Sequence, residues 1–215
     1  MRVQPEERRR RMVERQLRRR HVEDERVLAA MARVPRELFL PEAQRERAYD
    51  DAALPIGGGQ TMSQPYMVAK MSELLSLDGD DLVLDVGTGS GYHAAVLAEL
   101  AREVVTIERV PELAERARAN LAAAGYGNVE VLVGDGTLGV PERAPFDAIA
   151  VAAAAPVLPE SLYEQLRPGG RIVVPVGGRS NQRLELIVRS PEGPAVVRSV
   201  PCRFVPLVGE EGFRE

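Results

Sequence analysis

The residues best suited to chemistry stand in three short groups. The run Asp85-Val86-Gly87-Thr88-Gly89-Ser90-Gly91 follows an apolar stretch and precedes a helical pattern. Glycines at such a turn tolerate positive φ and let a ligand approach the backbone closely. The carboxyl end of a strand is also where open α/β sheets bind ligands. The spacing is G-x-G-x-G, with Tyr92 at the place where a dinucleotide fingerprint needs its third glycine. Taken alone, the loop fits a cofactor site or an ordinary tight turn. Glu108 ends the next strand, 23 residues after Asp85, where a carboxylate can accept both hydroxyls of a ribose. Asp135, between Gly134 and Gly136, ends the third strand, where it can accept a bond from an adenine amino group. Each acid by itself could be a loop acid, but three such groups on neighbouring strand ends point to a nucleoside pocket. No Walker motif or phosphate-binding lysine accompanies them. The expected ligand is therefore adenosine without a polyphosphate, which S-adenosylmethionine fits best.

The elements that must position these groups begin at about residue 81. DLVLDV (81–86), EVVTIE (103–108), VEVLV (129–133), FDAIAV (146–151) and RIVVPV (171–176) read as buried strands. Helical patterns separate them, at about 92–101, from Pro111 to Gly125, and near 159–166 before Pro168-Gly169-Gly170. LELIVR (184–189) and AVVRSVPCRFV (195–205) have no helix between them and read as an antiparallel pair. The alternation predicts an α/β fold, a doubly wound and mostly parallel sheet with one hairpin at its edge. The first 80 residues read instead as helices at about 4–20, 23–33 and 64–76 around an irregular stretch, 48–65. The expected organisation is a helical N-terminal extension, 1–80, packed on a sheet domain, 81–215.

Composition narrows the class. Of 215 residues, 45% are apolar and 28% charged, ordinary values for a globular protein. The single cysteine, Cys202, excludes an internal disulfide framework and suits a reducing compartment. No run approaches the roughly 18 apolar residues of a membrane helix, and the N-terminus has no apolar signal core. A soluble, cytoplasmic protein with no membrane partner is expected. The net charge of −4 hides an arm: residues 1–20 hold nine Arg and three Glu. Such an arm could bind nucleic acid, but it has no interleaved aromatics for base stacking. Val13 and Leu17, then Val27 and Met31, fall at i,i+4 and mark an amphipathic helix. A solvated helical face is expected, without a nucleic-acid partner.

Along nearly its whole length the chain resembles the protein-L-isoaspartate (D-aspartate) O-methyltransferases. The resemblance is carried by VPRELFLP (34–41), AYDD (48–51), LPIGGGQTMSQPYMVAKMSELL (54–75), VLDVGTGSGYHAAVLAEL (83–100), GDGTLGVPERAPFDAI (134–149), QLRPGGRIVVPVG (165–177) and RFVPLVG (203–209). The glycine loop is shared by many methyltransferases, whereas Gly59-Gln60-Thr61-Met62-Ser63-Gln64-Pro65 is specific to this family. The resemblance implies a Rossmann-like seven-stranded sheet of the class I S-adenosylmethionine-dependent methyltransferases. It implies methyl transfer to the free carboxylate of L-isoaspartyl or D-aspartyl residues in damaged proteins and peptides, leaving S-adenosylhomocysteine and starting repair through a succinimide. No metal is implied, and a monomer is expected. Ser63 matches the family's active-site serine. Thr61 and Met62 match a segment closing over the cofactor, and Asp85, Gly87, Gly89, Glu108, Gly134, Asp135 and Gly136 form the cofactor set. Gly59 and Pro206-Leu207-Val208 would line the substrate site. Two departures are visible: His93 replaces a polar amide of many relatives, and the tail GEEGFRE after Val208 has no family pattern.

The implied chemistry makes modest demands. A substrate carboxylate with a pKa near 4 is already an anion at pH 7 and needs no general base. Neither His21, in the charged arm, nor His93, read as a packing or capping residue, is expected to be catalytic. Transfer joins an anion to a sulfonium and reduces charge on both, so positioning and water exclusion matter more than a charged site. Ser63 suits that role as a neutral donor. It could equally cap the helix that starts near Pro65, and Gly57-Gly58-Gly59 could give a substrate backbone room to approach.

Overall fold

A computed structural model describes residues 4–214. Seven strands form one sheet in the order β5-β4-β3-β6-β7-β8-β9. They are β3 (Leu82–Val86), β4 (Glu103–Glu108), β5 (Val129–Val133), β6 (Phe146–Val151), β7 (Leu166–Gly177), β8 (Gln182–Ser190) and β9 (Gly193–Cys202). The β3–β4, β4–β5, β3–β6 and β6–β7 pairs are parallel, and β7–β8 and β8–β9 are antiparallel. This is the expected Rossmann-like order with a hairpin at its edge. Parallel strands read as continuous apolar runs because both faces are covered. Val83 and Val104 point into one buried cluster, while Leu84 and Val105 point into the other.

Helices α3 (Pro65–Leu75), α4 (Tyr92–Ala98) and α5 (Pro111–Ala123) pack into the first cluster, and α6 (Glu160–Glu164) into the second. The first cluster also takes Met12, Val13 and Leu17 from the N-terminal arm and Val27, Leu28 and Met31 from α2 (Glu25–Arg33). Apolar packing thus runs without a break from the extension into the sheet.

Several local readings are corrected. The first helix is α1 (Pro5–Met12), continued by one π turn, Val13–Leu17, and one 3-10 turn, Arg18–Arg20. The stretch 48–65, expected to be irregular, contains an antiparallel hairpin of β1 (Leu54–Gly57) and β2 (Gln60–Met62). Pro168-Gly169-Gly170 does not end a helix, because β7 already begins at Leu166 and its pairing with β6 is irregular between Phe146 and Ala148. β9 stops at Cys202, and the next residues leave the edge to bridge Ala154 through Pro206. Residues 1–3 of the arginine arm lie outside the described residues. Within the rest, Arg11 pairs with Glu7, Arg18 with Glu14 and Glu25, and Arg20 with Asp51.

Candidate active site

The sheet reverses its strand order at β3, and a cavity opens there at the carboxyl ends of the central strands, as expected for an open α/β sheet. Its floor comes from three strand ends: Val86 to Ser90 at the end of β3, Ile107 to Arg109 at the end of β4, and Gly136 after β5. Ala152 and Ala153 continue it after β6. The roof comes from Gln60, Thr61, Met62 and Ser63 of the hairpin segment and from Val205 to Val208.

Short local bonds shape the floor. The Gly87 N–H donates to the Ile107 carbonyl at 2.9 Å. The Glu108 carboxylate accepts from the Gly89 N–H at 2.9 Å and the Val110 N–H at 3.0 Å. Glu108 is buried, so these donors fix both oxygens while leaving lone pairs toward the cavity. Gly87, Gly89 and Gly91 all have positive φ, at 93°, 55° and 88°, which accounts for the glycine spacing. At Gly136 the reason is space: a Cβ there would lie 2.7 Å from Val86 Cγ1. Paired ribose acceptors, small residues and apolar walls are the donor set and shape an adenosyl sulfonium requires, so these residues fit S-adenosylmethionine.

Three residues of the expected cofactor set stand behind the floor. Asp85 is fully buried, with Oδ2 accepting from the Thr106 hydroxyl at 2.8 Å, and it does not line the cavity. Thr106 in turn shares a 2.6 Å hydrogen bond with Thr88, which does line it. Gly134 joins β5 to β4 through a 3.0 Å bond from its N–H to the Glu108 carbonyl. Asp135 accepts from the Thr137 N–H and hydroxyl and from the Glu210 N–H, at 2.9, 2.7 and 2.8 Å. Partial burial pushes its carboxyl up, but these hydrogen bonds outweigh that and hold it below the ordinary value. The tail after Val208 therefore has a structural partner, as the Glu211 N–H also donates to the Thr137 hydroxyl at 3.1 Å.

His93 is more than a capping residue. It is buried, lines the cavity, and places Nδ1 3.4 Å from Asp85 Oδ1 and Nε2 3.4 Å from the Ser72 hydroxyl. Burial pushes Asp85 up to about 7 and His93 down to about 4. Both groups are thus favoured in their neutral forms, and Asp85 Oδ1, although 3.4 Å from His93 Nδ1, has no aligned hydrogen-bond partner among the described residues.

The roof is held by long-range contacts. Arg36, fully buried, donates Nε to the Ala48 carbonyl at 2.8 Å and Nη2 to the Ser63 carbonyl at 2.6 Å. Its guanidinium also lies 4.7 Å from the centre of the Tyr92 ring. Gln64 donates to the Asp51 carboxylate at 2.7 Å, and Arg116 to the Ile56 carbonyl at 2.5 Å. The capping alternative for Ser63 fails: Gln64 is the N-cap of α3, and no side chain caps that helix. Ser63 lines the cavity, and its hydroxyl has no hydrogen bond among the described residues. Gly59, at the hairpin tip, lies outside the cavity lining. Sequence reasoning missed Arg36 and Ala152-Ala153, although the latter follow FDAIAV at a strand end, where the switch-point rule points. Among the described residues no group of three or more His, Cys, Asp or Glu is arranged to hold a metal ion.

A family profile described as Protein-L-isoaspartate(D-aspartate) O-methyltransferase matches residues 7–212. A protein-L-isoaspartate O-methyltransferase of Hyperthermus butylicus is 54% identical over 221 residues, covering 97% of this chain and 92% of that one. Among solved structures, one protein-L-isoaspartate O-methyltransferase superposes with a TM-score of 0.83 at 30% identity. It matches 94% of this chain, which spans 66% of that longer protein. A Plasmodium falciparum protein described by the same activity, solved with S-adenosyl-L-homocysteine, gives a TM-score of 0.79 at 26% identity. That match covers 93% of this chain and 98% of that one.

Proposed function

The chain belongs to the protein-L-isoaspartate(D-aspartate) O-methyltransferase family, and from that premise we propose how its residues divide the work. It is an S-adenosylmethionine-dependent enzyme that methylates the free carboxylate of isoaspartyl residues in damaged proteins. The cofactor supplies an electrophilic methyl group on a sulfonium.

In our reading, Glu108 accepts the ribose hydroxyls and Gly87, Gly89 and Gly136 allow close approach of the nucleoside. Gly134 and Asp135 set the turn beside it. Asp85 acts from behind, through Thr106 and Thr88. Thr61 and Met62 close the roof and, with Pro206, Leu207 and Val208, exclude water from the transfer path. Ser63 donates its hydroxyl hydrogen to the substrate carboxylate and aims one oxygen at the methyl group. The observation that carries this is that Ser63, its hydroxyl without a hydrogen bond among the described residues, lines the same cavity as the glycine loop. No base is needed, and neutral His93, turned toward Asp85 and Ser72, is not asked to be one. The product ester has an alkoxide leaving group, so the following backbone amide closes a succinimide without the enzyme. We further take residues 1–80 as the extension that carries the active-site loop, and 81–215 as the cofactor-binding domain. The enzyme would act as a monomer in the cytoplasm, which its single half-buried Cys202 suits. Arg11, Arg18 and Arg20 of the arm pair with carboxylates of the chain, which suits a solvated helical face without a nucleic-acid partner.

The test offers cofactor and two peptides that differ only in an isoaspartyl or aspartyl link. Methyl transfer is expected to the isoaspartyl peptide alone; equal transfer to both, or to neither, would overturn the reading. In the same assay Ser63→Ala should lower kcat/KM about ten- to a hundred-fold, the worth of a hydrogen bond to a charged group.

A further inference from the structure

A second cleft opens from the cavity past Ser63, sharing Thr61, Ala152, Val205 and Pro206 with it. Its own walls carry three charges: Asp51, Arg179 and Arg203. Asp51 is already answered, by Arg20 at 3.2 Å and by Gln64 at 2.7 Å. Arg179 donates to the Arg214 carbonyl at 3.4 Å and lies 5.4 Å from the Phe213 ring, with no carboxylate partner among the described residues. Arg203 is exposed and has no hydrogen bond or ion pair among the described residues. Its backbone, in contrast, is fixed. The Phe204 N–H donates to Gln182 Oε1 at 2.6 Å, and Gln182 Nε2 donates back to the Phe204 carbonyl at 3.2 Å. The Ala154 N–H then holds the Val205 carbonyl at 2.8 Å.

What distinguishes Arg203 is its place: a guanidinium without a carboxylate among the described residues, on a fixed backbone, in the wall of a cleft that shares Ser63 with the reaction site. A cleft continuous with the reaction site is also where the rest of a peptide must run once its isoaspartyl carboxylate reaches Ser63. We propose that this cleft receives the peptide flanking the isoaspartyl residue and that Arg203, with Arg179, selects an acidic side chain there. The inference rests on the functional reading above and adds a substrate class to it: isoaspartyl sites with an acidic neighbour. Charge complementarity between an exposed arginine and a carboxylate changes affinity modestly and in a salt-dependent way.

The test uses isoaspartyl peptides, acetylated and amidated so that the chain ends carry no charge, with Glu, Gln or Lys placed in turn on either side of the isoaspartyl residue. The wild-type enzyme should show a KM about two- to five-fold lower for the Glu peptide than for the Gln peptide on one of the two sides, and a higher KM for Lys. The ranking should flatten at 1 M salt, where the screening length falls to about 3 Å. Arg203→Glu should reverse the ranking, and Arg203→Lys should keep it. Methylation with equal KM for all three peptides, or an unchanged ranking in Arg203→Glu, would overturn the inference while leaving the activity intact. Failure to methylate any isoaspartyl peptide would instead remove the reading beneath it.

Discussion

The floor and the roof of the cavity are built in different ways. The floor is assembled from neighbouring strand ends tied by short bonds, backbone to backbone from Gly87 to Ile107 and from Gly134 to Glu108, and from the Gly89 N–H to the Glu108 carboxylate. Its geometry follows from the sheet. The roof joins segments far apart in sequence, around residues 60–63 and 205–208, and depends on single side chains that reach across. Arg36 spans Ala48 and Ser63, and Gln182 clamps Phe204. Cofactor chemistry common to many enzymes sits on the part that the fold supplies for nothing extra. In the proposed division of work, substrate recognition falls to the part where one residue can redirect a segment.

The largest test of that contrast is Arg36→Met. It would leave the Ala48 and Ser63 carbonyls without their donor, at about 1–3 kcal/mol each. Removal of a charge that burial disfavours offsets part of this. For a chain of this size each kcal/mol is worth about 2–4 °C, so a fall in Tm of roughly 10 °C is expected. In the folded variant, KM for an isoaspartyl peptide should rise well beyond the change in Kd for S-adenosylhomocysteine measured by calorimetry. Equal losses in both would mean that floor and roof form one mechanical unit.

The same contrast explains what could be read in advance. β4, β5 and β6 fall where their apolar runs predict; β4 and β6 are covered on both faces, and the half-exposed edge strand β5 still carries three valines and a leucine in five residues. Glu108 was legible because a strand end at the switch point limits where a carboxylate can go. The hairpin at 54–62 was not: its strands are short, and what anchors them is long-range, Leu54, Ile56 and Met62 in the core and Arg116 reaching the Ile56 carbonyl from α5. Ser63 became a candidate through family resemblance, because no local pattern distinguishes an active-site serine from a helix cap. Asp85 was misplaced by one layer. Its position at a strand end was correct, but alternation along β3 turns its side chain inward to Thr106 and His93 rather than toward the ligand.

That inward pair gives the next test, of intermediate size. Asp85 titrates near 7 in the folded protein, above its ordinary value of 3.8, so its contribution to stability is full below about pH 3.8 and is lost as pH rises toward 7. His93 titrates near 4, below its ordinary 6.5, so its contribution is full above 6.5 and is lost as pH falls toward 4. Between about pH 4 and 6.5 the two slopes oppose each other, each near 1.4 kcal/mol per pH unit when one proton is involved. The wild-type pair should therefore add little net pH dependence in that window. Asp85→Asn should make urea-unfolding stability fall as pH drops from 6.5 to 4, and His93→Gln should make it fall as pH rises from 4 to 7. Flat profiles in both variants would mean that burial shifts neither remaining group, and the pair would then not be two neutral side chains held behind the floor.

The smallest effect is expected at Gly136, where floor packing and cofactor approach meet in one residue. Gly136→Ala puts a Cβ 2.7 Å from Val86 Cγ1, and neither backbone can retreat easily, because β3 is paired on both sides. Overpacking of this kind costs about 1–3 kcal/mol. The strain has one easy outlet, the cavity itself, since Gly136 lines it and the sheet beneath does not yield. Displacement into the cavity would push against bound nucleoside, so Kd for S-adenosylhomocysteine should rise about ten-fold, equivalent to about 1.4 kcal/mol. The Tm of the ligand-free enzyme should fall by only a few degrees. A large drop in Tm with unchanged Kd would mean that the strain is relieved through β3 and the core behind it, and the floor would then be no stiffer than the roof.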